Sequence, residues 1–347
     1  MQKNFLDLSL EDILEWTKSK GLPNFRAEQI FEWQARGIAD FQEMSNISKK
    51  VREELAQDFF PGLPQVKAAQ SSQSDGSSKL LLAYPDGSCI EAVLMQHKYG
   101  VSACISTQVG CNMACAFCAS TGLHKGRNLS CGELLGEFFA LERYLAKPID
   151  NLDLMGIGEP LDNYQEVLNF IKRLIDPNFR NFAVRKICLS TCGLVDKIRD
   201  LADEGLGITL SISLHAPTQK LRAKIMPVAK RYPLEELLSA ADYYFQKTGR
   251  RISYEYALFA DFNDTTACAV KLAELLKGRN CHVNLIPANA VPGRPFRASR
   301  TETVENFLKV LQREGINATL RRSLGQDIEA ACGQLRRSAL LEDRDTK

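Results

Sequence analysis

From Val101 onward the chain alternates short apolar runs with helix-like segments, and this alternation constrains the fold more than any other feature. The β-rich runs start near residues 101, 150, 185, 206, 251, 281 and 316. Helix-like segments lie between most of them, at 131–146, 163–175, 195–204, 234–247, 265–277 and 301–314. This pattern is typical of parallel βαβ units, which form either a complete or partial barrel or a doubly wound sheet. No G-x-G-x-x-G string opens the first helix, which counts against a dinucleotide-binding sheet.

Chemically distinctive residues follow the carboxyl ends of most of these runs. Loops at the carboxyl ends of parallel strands converge on one rim of a barrel, and barrel enzymes assemble their active sites there. The positions are 111–118 after the first run, 156–160 after the second, 190–193 after the third, 213–215 after the fourth, 287–289 after the sixth and Cys332 after the last. The placement favours a barrel and predicts one composite site at its rim.

The loop Cys111-Asn-Met-Ala-Cys115-Ala-Phe-Cys118 holds three thiols at C-x3-C-x2-C spacing. A [4Fe–4S] cluster ordinarily takes four cysteines, so three cysteines leave one iron open to chelate the amino and carboxylate groups of S-adenosylmethionine (SAM). A structural zinc takes four N or S ligands, usually in two pairs, and no second pair with suitable spacing follows in the sequence. The spacing therefore favours a cluster over a zinc knuckle or buried structural cysteines.

Other strand-end residues have the chemistry to bind SAM. Glu159, in Gly156-Ile-Gly-Glu-Pro160, presents a carboxylate to an amine beside glycines that allow close approach of the backbone. Small polar groups able to hydrogen-bond ribose hydroxyls or a carboxylate follow other runs: Ser190, Ser213, His215 and Asn289. A serine at the end of a strand is also a common helix cap, so both interpretations of the serines stay open.

Two further cysteines are candidates for redox or nucleophilic chemistry. Cys332 follows the last run, and Cys104 lies within the first, where side-chain alternation can direct it into the barrel. Two thiols that face one cavity would support such chemistry. A free buried cysteine is more often inert packing, and the residues alone do not decide between the two.

Length and composition set looser limits. The 347 residues suffice for one large domain and an appendage. The net charge of +2 gives no global field that would point to a polyanion partner, so any nucleic-acid surface must come from local patches. Eleven cysteines, without a secretory signal or a long apolar run, predict reduced thiols in the cytoplasm and no membrane partner. An excess of intracellular cysteine favours metal or redox chemistry.

The remaining pattern predicts the domain organisation. Apolar residues at helical spacing in 10–20, 26–36 and 48–60 predict three N-terminal helices, with Lys49, Lys50 and Arg52 as candidate RNA contacts. Runs 79–84 and 88–96 around Pro85-Asp-Gly87 predict a β-hairpin after a polar loop at 70–78. The predicted units are a helical accessory domain at 1–62, a linker and hairpin at 63–98, a barrel at 99–337 and a polar tail at 338–347.

Six strings, taken together, resemble the RlmN/Cfr family of radical SAM RNA-adenine methyltransferases. They are Cys104-Ile-Ser-Thr-Gln-Val-Gly-Cys111, the loop 111–118, Gly158-Glu-Pro160, Ser213-Leu-His-Ala-Pro217, His282-Val-Asn-Leu-Ile-Pro287 and Ala330-Ala-Cys-Gly-Gln-Leu335. The resemblance runs from the N-terminal helices to about Arg337. It implies a partial (β/α)6-type radical SAM barrel with a small N-terminal helical domain that contacts RNA.

The resemblance also implies roles for individual residues. The cluster ligands fall on Cys111, Cys115 and Cys118. The SAM contacts fall on Gly158, Glu159, Ser190, Ser213, Leu214, His215 and Asn289. The cysteine that carries a methyl group falls on Cys332, the resolving cysteine on Cys104 and a proton acceptor on Glu91. Cys104 competes with Glu91 for the role of proton acceptor, and the other alternative for Glu91 is an exposed strand glutamate.

The implied chemistry explains why such residues are needed. C2 of adenine is too electron-poor to attack the methyl group of SAM, whereas a thiolate can accept that methyl group. One SAM would methylate Cys332, and a second, cleaved reductively, would give the radical that takes hydrogen from this methyl group. Cys104 would then release the methylated adenine as a disulfide forms with Cys332.

The resemblance points to the dual-specificity C2 branch, since Pro160 follows Glu159 and 284–289 reads Asn-Leu-Ile-Pro-Ala-Asn. This branch modifies an adenine of 23S rRNA and the tRNA adenine 3′ of the anticodon, position 37. The implied electron donor is flavodoxin, and the expected state is a monomer. The alternatives are a C8-directed enzyme, a radical SAM enzyme for a small molecule and a non-catalytic, zinc-stabilised RNA-binding protein.

Overall fold

The computed structural model describes residues 2–121, 127–288, 294–321 and 325–328 of the chain. Its N-terminal part contains the helices α1 (Leu10–Ser19), α2 (Phe25–Ala35) and α3 (Lys49–Asp58) and the short parallel strands β1 (Lys3–Asn4) and β2 (Phe59–Phe60). Ser9 begins α1 with a capping box to Asp12, and Ser48 caps α3. The three predicted helices are confirmed, with ends displaced by no more than two residues.

These N-terminal elements share an apolar core of their own, distinct from the core of the barrel. It is formed by buried side chains that include Phe5, Ile13, Ile30, Phe41 and Leu55. The hydroxyl of Ser130 and the N–H of Gly132, at the start of a barrel helix, donate to the Asp7 carboxylate at 3.1 and 2.6 Å. The first helical turn is a favourable place for a carboxylate, so this contact fastens the N-terminal part to the barrel.

Three antiparallel strands follow: β3 (Gln65–Ser71), β4 (Ser78–Ala83) and β5 (Cys89–His97). β4 and β5 form the predicted hairpin, whose turn closes with a hydrogen bond from the Gly87 N–H to the Tyr84 carbonyl. The sequence does not predict β3, because its residues are mostly exposed and lack the apolar alternation of a half-buried strand. Pairing with β4 makes it a strand.

The parallel strands continue the same sheet. They are β6 (Gly100–Cys104), β9 (Asn151–Leu154), β10 (Ile187–Thr191), β11 (Thr209–Ser213), β12 (Ile252–Leu258), β13 (Cys281–Pro287) and β14 (Ala318–Leu320), while β7 (Gln108–Val109) and β8 (Arg127–Asn128) form a separate hairpin. The strand order is β14-β13-β12-β11-β10-β9-β6-β5-β4-β3. The parallel strands thus follow chain order without the reversal of a doubly wound sheet, and the sheet of the described residues ends at β14 and β3. The prediction of a partial barrel with an N-terminal helical part is confirmed; the domain boundaries stay predictions.

Helices cover the outer face of the parallel strands. They are α4 (Cys131–Leu145), α5 (Tyr164–Ile175), α6 (Val195–Asp203), α7 (Gln219–Ile225), α8 (Leu234–Thr248), α9 (Thr266–Leu276) and α10 (Thr301–Arg313). All but α7 are predicted by the sequence; α7 has only seven residues and is too short for a clear period. Within the described ranges, no helix has the length and apolar character needed to cross a membrane.

The two faces of the sheet differ in chemistry. Alternate residues such as Leu152, Leu189 and Leu210 are fully buried against the helices and belong to the main core. Their neighbours on the strands face the other way and are polar: Ser211 donates to Glu255 at 2.9 Å, and Asn284 donates to the same carboxylate at 3.0 Å. The inner face of the barrel is therefore a polar surface that leads to the rim.

Candidate active site

The loops after β6 and β9 are joined at the rim by backbone hydrogen bonds. The N–H groups of Thr107 and Gln108 donate to the Ile157 carbonyl at 2.8 and 3.1 Å, and the Gln108 side chain accepts from the Glu159 N–H at 3.0 Å. Gly158 has φ +111°, and a Cβ there would lie 2.8 Å from the Gln108 nitrogen. Only glycine fits this position, which is why the glycine-rich string can lie directly beside the segment that leads to the cysteine loop.

The cysteine loop folds back on itself at Ala114, whose φ is +54°. Its three cysteines are free and partly exposed. The Ala116 N–H donates to the Ile225 carbonyl at 2.8 Å, so the last residue of α7 holds the cysteine loop in place. Burial raises the pKa of Cys111 to about 12 and also raises that of Cys115. Thiols in such surroundings become ligands when a metal centre replaces their protons.

The donor set fits the implied cluster by its number, its single loop and its position. Within the described part of the chain, no three His, Cys, Asp or Glu side chains converge as they would around a single ion. The ligands of a [4Fe–4S] cluster need not meet at one point, because each cysteine ligates a different iron. The residues that would hold the cluster are Cys111, Cys115 and Cys118, with no fourth ligand from the loop.

Glu159 ties two rim loops together. It is buried, and its carboxylate accepts from the Leu161 N–H at 3.1 Å and from the Cys192 N–H, beyond β10, at 2.7 Å. Burial raises the pKa of Glu159, and these hydrogen bonds oppose the rise. The side chains of Thr191 and Cys192 also hydrogen-bond this carboxylate, which has about four acceptor positions, so an amine would share or replace one of these donors.

His215 lies where the cysteine loop meets the end of β11. It is buried with φ +53°, and its Nδ1 accepts from the Ala257 N–H at 3.0 Å. Burial lowers its pKa to about 3, so the ring is neutral with its proton on Nε2. The Phe117 ring of the cysteine loop packs edge-on against this imidazole at 4.8 Å. The structure therefore brings the predicted cluster loop into contact with a predicted SAM residue.

The other predicted residues at the strand ends occupy two kinds of position. Ser190 and Ser213 lie on the polar face of β10 and β11, in line with Ser211 by register, whereas Leu214 is fully buried and its N–H donates to the Glu255 carbonyl at 3.0 Å. Asn289 and Cys332 lie outside the described residues.

Cys104 ends β6 on the inner face. Its register partner across the sheet is Asp153 on β9, whose next partner is Cys188 on β10. Burial, and then the field of Asp153, raises the pKa of Cys104 to about 12. Burial likewise raises the pKa of Asp153 to about 6, against the opposing charge of Arg321. These surroundings thus favour the thiol of Cys104 over its thiolate at neutral pH.

Glu91 is buried rather than exposed, so the alternative interpretation of this residue as an exposed strand glutamate is wrong. Its carboxylate lies 3.5 Å from the Lys79 ammonium on the neighbouring strand, and both side chains are at most 3% exposed. The register of β5 and β6 pairs Val93 with Cys104. Glu91 therefore shares the face of Cys104, two residues along its strand.

Sequence reasoning missed Lys79, Asp153 and Arg222, all charged residues on or beside the inner face. Lys79 and Asp153 carry a signal, since each is a lone charge within an apolar strand. Arg222 carries none, because α7 itself is not predicted. Of the candidate RNA contacts, Lys49 and Lys50 are exposed and lie 3.8 and 3.9 Å from glutamates one turn along α3.

Comparison with known proteins places this geometry in a family context. Residues 3–60 match the ribosomal RNA large subunit methyltransferase N-terminal domain, and residues 105–276 match the radical SAM superfamily. A probable dual-specificity RNA methyltransferase RlmN from Clostridium perfringens (strain 13) is 48% identical over 337 residues, 97% of each chain. One from Clostridium beijerinckii is 48% identical over 96% of this chain and 95% of its own. The crystal structure of a radical SAM methyltransferase from Sphaerobacter thermophilus aligns with a TM-score of 0.91 and 38% identity, over 96% of this chain and 98% of that one.

Proposed function

This chain belongs to the RlmN family of radical SAM RNA methyltransferases, and from that premise we propose that it methylates C2 of adenine in two RNAs. The proposed substrates are an adenine of 23S rRNA and the adenine 3′ of the anticodon, position 37, in tRNA. The relatives that support this are named as dual-specificity RNA methyltransferases. The observation that carries the proposal is the contact of the cysteine loop with His215 at the carboxyl rim of the barrel.

Members of the radical SAM superfamily use a [4Fe–4S] cluster and SAM. When bound, these groups supply a deoxyadenosyl radical, the strong hydrogen acceptor that the reaction needs. We assign the holding of the cluster to Cys111, Cys115 and Cys118. SAM would lie against the backbone of Gly158, with Glu159 accepting from its amine.

The polar residues of the rim would position the rest of SAM. Ser190 and Ser213 offer hydroxyl groups, and neutral His215 offers its Nε2–H as a donor. Leu214 would contribute only main-chain atoms, because its side chain is fully buried in the main core, and Asn289 completes the proposed set. Since His215 is neutral, it adds no positive charge that would compete with the sulfonium for nearby carboxylates.

The covalent part of the proposal uses two thiols and one carboxylate. Cys332 would accept a methyl group from one SAM and carry it to the adenine, a second SAM being consumed in each turnover. Glu91 would accept the ring proton; an ionised carboxylate is the form that accepts one, and the Lys79 ammonium compensates its buried charge. Cys104 would then bond to Cys332, which releases the methylated adenine as a disulfide forms.

The partners and setting are part of the same proposal. A cytoplasmic flavodoxin would supply electrons, cellular thiols would reduce the Cys104–Cys332 disulfide, and the enzyme would act as a monomer. Anaerobic assays in which reduced flavodoxin replaces a chemical reductant test the donor, and light scattering tests the monomer.

The function is tested by the position of the new methyl group. The purified holoenzyme is incubated anaerobically with SAM, reductant and either protein-free 23S rRNA or unmodified tRNA, and the digested RNA is analysed by mass spectrometry. We expect 2-methyladenosine from both RNAs, and none from Cys332→Ala. Formation of 8-methyladenosine would instead identify a C8-directed enzyme, and full turnover by Cys332→Ala would contradict the methyl-cysteine route.

A further inference from the structure

Arg222, on α7, is a buried cation for which the described residues provide no carboxylate. Its side chain is fully buried. Its Nη2 donates to two main-chain carbonyls, those of Cys192 at 2.5 Å and Ser213 at 3.2 Å. Nε and Nη1 have no hydrogen-bond partner in the described part of the chain. A buried guanidinium without a counter-ion is costly, so this arrangement calls for an anion.

The position of Arg222 identifies where that anion would lie. Arg222 lies in the last turn of α7, which ends at Ile225. The Ile225 carbonyl accepts a hydrogen bond from the Ala116 N–H of the cysteine loop at 2.8 Å. Burial lowers the pKa of the Arg222 guanidinium, and Cys192 and Cys115, in their thiolate forms, would raise it. Cys115 is the middle cysteine of the proposed cage.

The surroundings keep the guanidinium fixed rather than free to swing to solvent. Its two carbonyl partners belong to the ends of neighbouring strands, β10 and β11, so the side chain bridges two rim loops. Gly193 has φ +105°, and a Cβ there would come within 3.3 Å of Nη2 and 2.9 Å of a Leu237 methyl group. The glycine thus leaves the space that the guanidinium needs.

We propose that Arg222 is the permanent positive partner of the loaded cysteine cage and makes reduction of its cluster more favourable. A cubane held by three thiolates is anionic, and one-electron reduction adds a further negative charge beside this fixed cation. A charge in a water-excluded site acts more strongly than at the surface. Arg222 is therefore a positioning and electrostatic residue, and the inference rests on the proposed ligation by Cys111, Cys115 and Cys118.

The test is a dye-mediated redox titration of the reconstituted holoenzyme without SAM, followed by electron paramagnetic resonance. The variants are Arg222→Gln, which removes the charge and keeps a donor, and Arg222→Lys, which keeps the charge. All three residues are good helix formers, so α7 is preserved. We expect Arg222→Gln to make reduction about tenfold less favourable, a midpoint about 59 mV more negative for one electron, and Arg222→Lys to stay near wild type.

The matched control is Arg250→Gln, at the opposite end of β11. Arg250 is partly buried, whereas Arg222 is fully buried. Arg250 donates to the Thr209 hydroxyl at 2.8 Å, but it lies at the amino end of the strand, away from the cysteine loop. We expect its replacement to leave the midpoint unchanged. An equal shift in Arg250→Gln and Arg222→Gln would reflect a general effect of charge and would overturn the assignment.

Iron content and SAM binding separate the remaining outcomes. If Arg222→Gln binds no iron while Arg222→Lys binds it fully, the requirement for charge is supported in a stronger form. If both variants lose iron, Arg222 acts by packing and the inference fails. If Arg222→Gln keeps the wild-type midpoint but binds SAM more weakly in equilibrium dialysis, its partner is the SAM carboxylate, which also overturns it. A wild-type cluster signal in any arm leaves the proposed cage intact, so the two proposals fail separately.

Discussion

The two faces of the central sheet are made by the same strands yet serve opposite purposes. On the outer face of β11, Leu210 and Ile212 are fully buried against helices. On the inner face of the same strand, Ser211 is buried just as deeply but donates to Glu255. Burial of apolar side chains stabilises the folded state, whereas burial of polar side chains costs free energy. The comparison therefore indicates that the outer face stabilises the barrel and that the inner face serves the chemistry.

We expect the largest difference between the chemical side and the structural side of the barrel when a cysteine on each side is replaced by alanine. Cys115→Ala, in the cysteine loop, should lower bound iron and reduce RNA methylation to background while leaving the unfolding of metal-free protein within about 1 kcal/mol of wild type. Cys268→Ala, on the outer helix α9, should keep iron and activity. Iron analysis, methylation assays and urea unfolding measure all three quantities. Full activity of Cys115→Ala would remove the basis for the proposed cage.

Substitutions on the outer face should lower the free energy of unfolding. Leu210→Ala removes a fully buried side chain and is expected to lower the free energy of unfolding by about 3 kcal/mol. Its neighbour Ser211→Ala should cost only about 1 kcal/mol, since it loses one hydrogen bond. Urea unfolding of chelator-treated protein checks both. Equal costs at the two positions would mean that the faces do not differ in the way proposed.

The ion pair on the inner face offers a smaller effect. Lys79 and Glu91 should show a coupling energy of about 2 kcal/mol in a double-mutant cycle of Lys79→Met and Glu91→Gln. The reason is that each buried charge compensates the other at 3.5 Å. Unfolding of the wild type, both single variants and the double variant gives the value. Strict additivity would show that the two charges are stabilised independently.

The smallest expected effect is a pH dependence from Asp153. Its pKa is raised from 3.8 to about 6 in the folded protein, so the folded state binds a proton that the unfolded state has already released. Ionised Asp153 therefore destabilises the fold above pH 6; this penalty starts to shrink as the pH falls through 6 and is removed fully only below 3.8, the unfolded pKa. Relative to Asp153→Asn, wild type should gain about 1 kcal/mol between pH 7.5 and 5. Parallel stability curves for the two proteins would contradict the raised pKa.

The sequence predicts the framework of the molecule well because its signals are local. The β-rich runs and the six long barrel helices follow from apolar period, and the rim residues follow from their place after each strand. β3 and α7 escape prediction for physical reasons: β3 is exposed and becomes a strand only by pairing with β4, and α7 is too short to show a period.

The candidate site is predicted only in part, because charge relations arise from three-dimensional neighbours. Cys111, Cys115 and Cys118 are predicted as cluster ligands from their spacing in the sequence. The pairing of Glu91 with Lys79 depends on the register of β4 and β5, whereas the approach of Arg222 to the cysteine loop depends on where α7 ends. Neither relation leaves a trace in composition or periodicity.

The central claim is that three cysteines hold a cluster with one iron open to SAM at the rim of this barrel. Electron–nuclear double resonance on the reduced holoenzyme, with SAM labelled with ¹⁵N in its amine and ¹⁷O in its carboxylate, tests this directly. The account predicts hyperfine coupling from both labels to the cluster. A fully loaded, reduced cluster that shows neither coupling in the presence of saturating labelled SAM would contradict it.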